Sequence, residues 1–539
     1  MDSNSSKTWA LSRRQILQIG AAGVAASALD VSFDAEAIAG ASPAPFVPLT
    51  KPVGPRPNTK VPIGTDLIPQ IKNIVIVMME NQSYDSVLGM LSNPSNQAHR
   101  GDGLTWNKTP SARALNTNPI TLGAHSPVEQ SFAMPTTAQM DSYPWQTWDA
   151  TWTQFLGSPT AQSISKNPAA LNQGFVISQS GPIAMGYFTP TQLPFINSLA
   201  QTFPIADRWH CSAPGQTYPN RMFMMAGTSL GLTTTTLPSP NLMPTNGTIF
   251  QALTRYGITW KNYYCDSPSS LIWLGQLLGP HSTANFSNNL FKMSTFFSDC
   301  ANGTLPSVSL VDPNYGTSSG ENPQDLQHAD AFLHDVITAV MSGPKWQETL
   351  VVWTFDEHGG WYDHVPPVFL GRPDNSKPSS QLWAGNPKIP SFDYSGMRVP
   401  SGVVSAYAKP DYVSTTLYDH TSILKLIEEK WNLPPFTSRD KNANSPLDMV
   451  DFTKKPTFAT PPPLAPKVRD RAGNVVSTGI GTDTALTADE LTYPDNNTFV
   501  PGNGYLSRRE FYTDKNGNST GVVTPYFALL QSAWATPGK

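Results

Sequence analysis

Two nearly continuous apolar runs, each ending abruptly in acidic residues, constrain the fold of this 539-residue chain more than any other feature. The first run is IKNIVIVMM at residues 71–79, and the second is TLVVWTF at residues 349–355. Uninterrupted β-branched and aromatic runs of this length are typical of strands buried on both faces of a parallel sheet. Apolar residues also recur at helical spacing over residues 330–341, which supplies a crossover helix. The sequence therefore predicts an α/β fold with a central, mostly parallel sheet.

Acidic and amide side chains follow both runs directly. Glu80 and Asn81 come after the first run, and Asp356 and Glu357 come after the second. Open α/β sheets bind their ligands at the carboxyl ends of the strands. A carboxylate placed there is costly to bury unless a cation compensates it, and hard divalent cations prefer such oxygen ligands. The pattern therefore predicts a metal site, with Asn81 as a neutral oxygen ligand or a contact for phosphate. Separate salt bridges are the simpler reading of each carboxylate alone.

A third apolar run at residues 399–407 is interpreted as another strand of this sheet. It is followed by His420 and by a helical pattern over residues 421–431. The segment DEHGGWYDH adds His358 and His364 beside two glycines. Because histidine transfers protons near neutral pH, His364 and His420 are candidates for that role. His210, His281 and His334 are interpreted as structural.

A candidate nucleophile lies in the segment APGQTYPNR at residues 213–221. Thr217 stands in a turn constrained by Gly and Pro, just before a helical stretch. Backbone amides at a helix N-terminus favour an anion, and a nearby metal ion lowers the pKa of a hydroxyl. Arg221 is a candidate for gripping phosphate oxygens in a bidentate manner. Taken alone, a Thr in such a turn is usually a helix cap.

Four segments carry a resemblance to a known family. They are IVMMENQSYDSVLG (76–89), GQTYPNRMFMMAGTS (215–229), TFDEHGGWYDHVPP (354–367) and MRVPSGVVSAYA with YDHTSILKLIEEKW (397–431). In this order they resemble the bacterial phosphoesterases that include non-specific phospholipases C and acid phosphatases. The resemblance implies a three-layer α/β/α fold similar to alkaline phosphatase. It also implies a divalent metal ion held by Glu80, Asn81, Asp356 and Glu357, with Thr217 as the attacking hydroxyl.

The chain departs from that family at two places. Members commonly carry a His-Pro pair before the crossover helix, where this chain has Asn322. Asn322 is therefore expected to contact a phosphate oxygen. His328 lies six residues on, about 120° around a helix that begins near Asn322, so we do not expect it to replace the histidine. Upstream, a region that often holds two histidines retains His125, a further candidate for proton transfer.

The resulting expectation is a phospholipase C that cleaves phospholipid phosphodiesters, with an acid phosphatase acting on soluble monoesters as the alternative. Four aromatic residues could meet a lipid surface in transient contact, or they could pack in the core: Trp145, Trp148, Trp152 and Phe155. The sequence also argues against two other classes of protein. Thr217 and DEHGG argue against an inactive binding protein, and the absence of a C-x-P-x-R or S-x-P-x-R motif argues against a sulfatase-like esterase.

The N-terminal residues 1–41 read as a twin-arginine signal peptide. Arg13 and Arg14 precede an apolar stretch at residues 19–29 and then small residues. The expected partner is the twin-arginine export machinery, and the expected location is periplasmic or secreted. Residues 42–455 are predicted to form the catalytic domain, and residues 456–539 a polar C-terminal extension.

Charge and cysteine content restrict the remaining possibilities. A formal net charge of −4 gives no overall attraction to nucleic acids, so no nucleic-acid partner is expected. Three cysteines are too few for a disulfide scaffold. The sequence is compatible with one disulfide between Cys265 and Cys300, and equally with free thiols only.

Overall fold

An eight-stranded, mostly parallel sheet forms the centre of the fold. The computed structural model describes residues 53–94, 100–107, 114–123, 125–134, 137, 144–161, 163–239, 241–273, 286–321, 324–379 and 392–468. In chain order, the strands are β1 Asn73–Met79, β2 Thr117–Pro119, β3 Val128–Gln130, β4 Phe132–Ala133, β5 Gly186–Tyr187, β6 Ile205–Ala206, β7 Trp260–Tyr264, β8 Leu290–Lys292, β9 Val308–Asp312, β10 Thr349–Phe355, β11 Ser401–Ser405 and β12 Val413–Ser414.

Nine α-helices accompany these strands in the described part of the chain. They are α1 Tyr84–Leu88, α2 Trp148–Leu156, α3 Pro194–Thr202, α4 Thr217–Ala226, α5 Ile249–Arg255, α6 Met293–Asn302, α7 Leu326–Ser342, α8 Thr421–Trp431 and α9 Ser438–Asn442. Two helical stretches expected from the apolar spacing, over residues 330–341 and 421–431, are confirmed by α7 and α8. Because α7 begins at Leu326, the angle expected for a helix starting near residue 322 does not apply.

The strand order in the main sheet is β12-β6-β11-β10-β1-β9-β7-β8. β1 runs parallel to both β9 and β10, and Met79 pairs with Phe355 at the carboxyl ends. The two apolar runs therefore lie side by side, as predicted. β11 differs from the expectation because it runs antiparallel to both of its neighbours. Its carboxyl end points away from the acidic edge, so His420 reaches that edge from the start of α8 and not from a parallel strand.

Helices cover the sheet on both faces. Every residue of β1 and of β10 is buried, as expected for strands with no solvent-facing side. The helices pack mainly within two sets: α3 and α6 contact α7, while α4 and α9 contact α8. This arrangement confirms the predicted three-layer α/β/α architecture.

The C-terminal side of the described chain continues past the predicted domain boundary at residue 455. Phe458 donates its N–H to Ala406 O at 2.9 Å, and Lys467 forms an ion pair of 2.8 Å with Asp335. Residues 456–468 therefore lie against the α/β core, while the rest of the predicted extension and the predicted signal peptide lie outside the described residues. All three cysteines are free thiols, so no Cys265–Cys300 bridge forms. Among the helices described, none has the length and apolar character needed to cross a membrane.

Candidate active site

The carboxyl ends of β1, β9 and β10 meet at one edge of the sheet. Glu80 and Asn81 follow β1, and Asp356 and Glu357 follow β10, all of them buried. The backbone N–H of Asn81 donates to Oδ1 of Asp356 at 3.3 Å, and the N–H of Glu357 donates to the same oxygen at 2.7 Å. The structure thus brings together the four residues predicted to hold a metal ion.

A close backbone approach fixes Asn81 in this cluster. Asn81 adopts a left-handed φ of 63°, and Gly359 has the same φ of 63° opposite it. A Cβ atom added at Gly359 would lie 2.2 Å from Asn81 O, so a side chain at this position cannot be accommodated. The N–H of Gly359 also donates to Oε2 of Glu357 at 2.7 Å. The glycine of DEHGG therefore supports both predicted ligand pairs.

Thr217 is the first residue of α4, and Arg221 lies one turn further along the same helix. Thr217 is buried, with 4% of its surface exposed. The carboxylate of Glu80 helps to raise the pKa of the adjacent Tyr218, after the larger effect of burial. Tyr218 and Arg221 therefore place the first turn of α4, which begins at the predicted nucleophile, beside the carboxylate cluster.

Arg221 lies beneath the cluster, where it bonds to groups of the protein itself. Its Nε donates to Oδ2 of Asp356 at 3.1 Å, and its Nη2 donates to the carbonyls of Met78 and Met79 at 3.1 and 3.2 Å. Its guanidinium also lies 3.6 Å from Asp312. The Nε and Nη2 groups of Arg221 thus have internal partners and compensate the charge of Asp356, whereas Nη1 has no hydrogen-bond partner, so the contact with phosphate stays a prediction.

Glu321 joins the cluster from a third loop, which sequence reasoning missed. It follows β9 by nine residues and is only 3% exposed. The side chains of Asn81 and Gln146 face it, and each favours its ionised form. In the sequence, the available indication of this loop was the short apolar run VSLVD. It ends in Asp312 and is followed by the loop that contains Glu321. That strand is too short to stand out by apolar length alone.

Four buried carboxylates thus form one cluster at the edge of the sheet, those of Glu80, Glu321, Asp356 and Glu357, while Asp312 at the end of β9 pairs with Arg221. Burial, followed by the neighbouring Asp356 carboxylate, raises the pKa of Glu80, of Glu357 and of Glu321, in the last case to about 8. Several oxygens of the cluster have no hydrogen-bond partner: Glu80 Oε2, Asn81 Oδ1, Glu321 Oε1 and Glu357 Oε1. Buried charges are normally paired or bound to metals. The excess of unpartnered oxygens fits a hard divalent cation.

His420 holds the main chain of Asp356 in place. Its Nδ1 accepts from the Trp209 indole at 3.3 Å, so its Nε2 carries the proton and donates to Asp356 O at 2.6 Å. Burial lowers the pKa of His420 to about 4, and the ring is neutral near pH 7. Both ring nitrogens are therefore occupied, which favours a positioning role over the predicted proton transfer.

His358 connects the same cluster to the loop before α2. Its Nε2 lies 2.7 Å from Oε1 of Gln154, whose Nε2 donates to Trp145 O at 2.7 Å. Burial lowers the pKa of His358 to about 3. A Cβ at Gly360 would lie 2.6 Å from Trp145 O, so the loop with Trp145 rests directly on the DEHGG segment.

His364 belongs to a second charged cluster. In the described part of the chain, Asp85, Asp363 and His364 form the one set of three possible metal ligands with donor atoms within 4.8 Å of one another. Arg398 occupies it, with Nε 2.9 Å from Asp363 and Nη2 3.2 Å from Asp85. Although burial opposes charge on His364, the Asp85 and Asp102 carboxylates raise its pKa to about 10. A protonated ring cannot bind a metal, and the arginine already balances the acids.

The two candidate metal sites differ in how much positive charge the protein already places beside their carboxylates. The carboxylates around Glu80 are spaced more widely than those around His364, since they form no set within 4.8 Å. They nevertheless retain unpartnered oxygens, whereas the cluster around His364 is filled by a guanidinium. The residues around Glu80 fit a cation better.

The other predicted residues make no described contact with the carboxylate cluster or lie outside the described residues, except Trp145. His125 is exposed in the turn between β2 and β3, which form a small sheet apart from the central one. Asn322 lies outside the described residues. Of the four aromatic residues considered for lipid contact, Trp148, Trp152 and Phe155 are buried in the core, whereas Trp145 is 43% exposed. The core-packing alternative is correct for those three.

Comparison with known proteins identifies the family. The sequence matches the Phosphoesterase family over residues 71–434. It is 30% identical to non-specific phospholipase C6 of Arabidopsis thaliana over 74% of this chain and 76% of that protein. It is 27% identical to phospholipase C B of Mycobacterium tuberculosis over 80% of this chain and 86% of that protein. Among solved structures, a protein in the alkaline phosphatase superfamily from Vibrio parahaemolyticus aligns over 62% of this chain and 72% of that one, with 11% identity and a TM-score of 0.28.

Proposed function

Because the chain belongs to the Phosphoesterase family and is therefore a hydrolase of phosphate ester bonds, we propose that it is a metal-dependent phospholipase C with Thr217 as nucleophile. One observation supports this proposal most strongly. Unpartnered oxygens of Glu80, Asn81 and Glu357 lie at the sheet edge beside the first turn of α4, which begins at Thr217. A hydroxyl at a helix N-terminus beside a cation site has the surroundings that favour its ionisation.

A divalent cation held by Glu80, Asn81, Asp356 and Glu357 would polarise the phosphate and lower the pKa of a bound hydroxyl. Arg221 and His420 contribute by holding Asp356 from its side-chain and main-chain ends, at 3.1 and 2.6 Å. These buried contacts would keep the ligand set in place. Preorganised donors of this kind account for much of enzymatic rate enhancement.

In the first step, the Thr217 hydroxyl loses its proton to water and its oxygen attacks phosphorus in line with the glycerol oxygen. The P–O bond to diacylglycerol breaks, and a phosphothreonine that still carries the head group forms. Backbone N–H groups at the start of α4 face the phosphate oxygens. In the second step, water cleaves phosphothreonine and releases the phosphorylated head group. We assign the proton on the leaving oxygen to water, since His420 has both ring nitrogens occupied and His364 is bound to Asp85 at 2.7 Å.

The phospholipid substrate is proposed from the relatives and from the rim of the site. The relatives matched over most of the chain are named phospholipases C. Trp145 is 43% exposed and directly precedes Gln146, which faces Glu321 inside the site. An indole in this place can enter a lipid interface while its backbone stays fixed on DEHGG. We propose that Trp145 makes a transient contact with the membrane surface.

Three substrates distinguish the possibilities: phosphatidylcholine vesicles, a soluble phosphodiester and a soluble phosphomonoester, each assayed before and after treatment with a chelator. A phospholipase C cleaves the vesicles and the diester, and the chelator removes the activity. Preference for the monoester identifies an acid phosphatase instead. Trp145→Ala should lower turnover of vesicles severalfold and leave the soluble diester unchanged. An equal loss on both substrates would place Trp145 in substrate binding and not at the lipid surface.

We also propose export by the twin-arginine machinery, on the basis of residues 1–41. Replacing Arg13 and Arg14 together by lysine should retain the protein in the cytoplasm of a bacterial host that has this machinery. Unchanged export of the double variant would refute the proposal. Cell fractionation with an antibody to the protein makes the measurement.

A further inference from the structure

Glu321 is the one carboxylate of the edge cluster that neither of the two long apolar strands supplies. It comes from the loop between β9 and α7, and this loop is anchored on Glu80. The N–H of Glu80 donates to Ser319 O at 2.8 Å. Gly320 has φ of 95°, and a Cβ there would lie 2.7 Å from Glu80 O. The main chain at residue 320 is therefore pressed against the main chain of a predicted ligand.

The loop is also braced from within. Oε1 of Gln324 accepts from the N–H groups of Ser319 and Gly320 at 2.8 and 3.3 Å, and its Nε2 donates to Tyr315 O at 2.7 Å. The N–H of Glu321 donates to Oγ of Ser319 at 3.2 Å. These bonds orient the loop before any ligand arrives. Rigid support of this kind is typical of residues that hold a metal or a substrate.

Among the described residues, no Lys, Arg or His forms an ion pair with Glu321, and Arg221, which favours its ionised form, pairs with other carboxylates. Glu321 is 3% exposed, and its Oε1 has no hydrogen-bond partner. The nearest guanidinium, Arg221, already makes hydrogen bonds to Asp356 and to the main chain of β1. A buried carboxylate without a full counter-charge is unfavourable, so an ionised Glu321 would be stabilised by a cation in addition to Arg221.

We propose that Glu321 is a further metal ligand, which closes the site from the β9 side and makes it a site of three loops. The proposal rests on the metal dependence proposed above. The cation would then be held by carboxylates from the loops that follow β1, β9 and β10. Hard cations such as Ca²⁺ accept six to eight oxygen ligands, so an additional carboxylate is compatible with their coordination.

Metal binding to the apo protein tests the proposal directly. The full chain is stripped with a chelator and titrated with Mn²⁺ and, separately, Ca²⁺ by calorimetry, and retained metal is measured by mass spectrometry. Glu321→Gln should weaken binding at least about 10-fold, since even the outer partners of metal ligands change affinity by 10- to 100-fold. The control Glu428→Gln, which also replaces a buried glutamate, should bind as the wild type does.

Thermal unfolding gives a second readout. The apo form of Glu321→Gln should melt at or above the apo wild type, because burial and the Asp356 carboxylate disfavour a charge at this position and the amide carries none. Addition of Mn²⁺ should then raise its melting temperature less than that of the wild type. Wild-type affinity together with a wild-type Mn²⁺ shift would overturn the assignment. If Glu321→Gln does not fold, Glu321→Asp decides: a ligand role predicts weaker Mn²⁺ binding, and unchanged binding excludes it.

These readouts are separate from the proposed function. Weaker Mn²⁺ binding in Glu321→Gln, combined with a wild type that hydrolyses no phosphate ester, would support the ligand and refute the phospholipase. Full Mn²⁺ binding by a Glu321→Gln variant that still hydrolyses the substrate would refute the ligand and support the phospholipase.

Discussion

Gly359→Ala is the substitution for which the structure gives the clearest expectation. The new Cβ would lie 2.2 Å from Asn81 O and 2.9 Å from Asn81 Cβ. Both neighbours belong to a residue that is itself held at φ of 63°, so neither can rotate away cheaply. The two loops must separate by about 1 Å to reach van der Waals distance, and a misplacement of about 1 Å can cost about 10²-fold in rate.

A control variant separates the effect of the clash at Gly359 from the effect of backbone strain. Gly257 has φ of 69°, and a Cβ there meets nothing within 4 Å. Gly257→Ala therefore imposes the left-handed strain alone, about 1 kcal/mol of stability, without a clash. We expect it to keep wild-type turnover and metal content. Gly359→Ala should lose about 10²-fold in turnover and bind Mn²⁺ more weakly, because Asn81 and Glu357 move apart.

The assays are steady-state hydrolysis of a soluble phosphodiester, calorimetric Mn²⁺ titration and thermal unfolding of both variants. Equal behaviour of Gly359→Ala and Gly257→Ala in turnover and metal binding would refute the reasoning. It would mean that the approach of Gly359 to Asn81 has no part in forming the site.

Three further predictions address single groups. Thr217→Val should lower turnover by about 10³-fold or more while metal content stays normal, and near-normal turnover in a metal-replete sample would remove Thr217 as nucleophile. His420→Gln should lower turnover about 10-fold by weakening the hold on Asp356, with an unchanged shape of the pH–rate profile, and loss of a limb of that profile would instead indicate proton transfer. Burial and then the neighbouring Asp440 raise the pKa of Glu428 above its ordinary 4.5. The folded protein therefore keeps a proton that the unfolded chain releases, so the stability of the wild type falls as the pH rises above 4.5. Glu428→Gln lacks this titration, so calorimetry at about pH 5 and about pH 8 should show its advantage in melting temperature growing with pH, and a constant difference would contradict the assignment.

The sequence was sufficient for the parts of the fold with strong local signals. Apolar length identified β1 and β10, and the acids after them identified the edge where the site lies. It failed where tertiary pairing decides direction: nothing in residues 401–405 distinguishes an antiparallel β11 from a parallel one.

The same limit applies to side-chain roles. Arg221 and His420 have the residue types of catalytic groups, but their buried partners come from strands and loops more than 60 residues away in the chain. Glu321 was overlooked because β9 is only five residues long, and its loop gains meaning only from its contact with Glu80. Spacing in the sequence does not encode such contacts.

The stereochemical course at phosphorus tests the central claim, attack by Thr217, most directly. The substrate is a phosphodiester made chiral at phosphorus by isotopes of oxygen or by sulfur, and the product configuration is read after one turnover. Each in-line displacement inverts phosphorus, so a phosphothreonine intermediate followed by hydrolysis predicts net retention. Net inversion would show that water attacks the substrate directly, and would contradict a covalent role for Thr217.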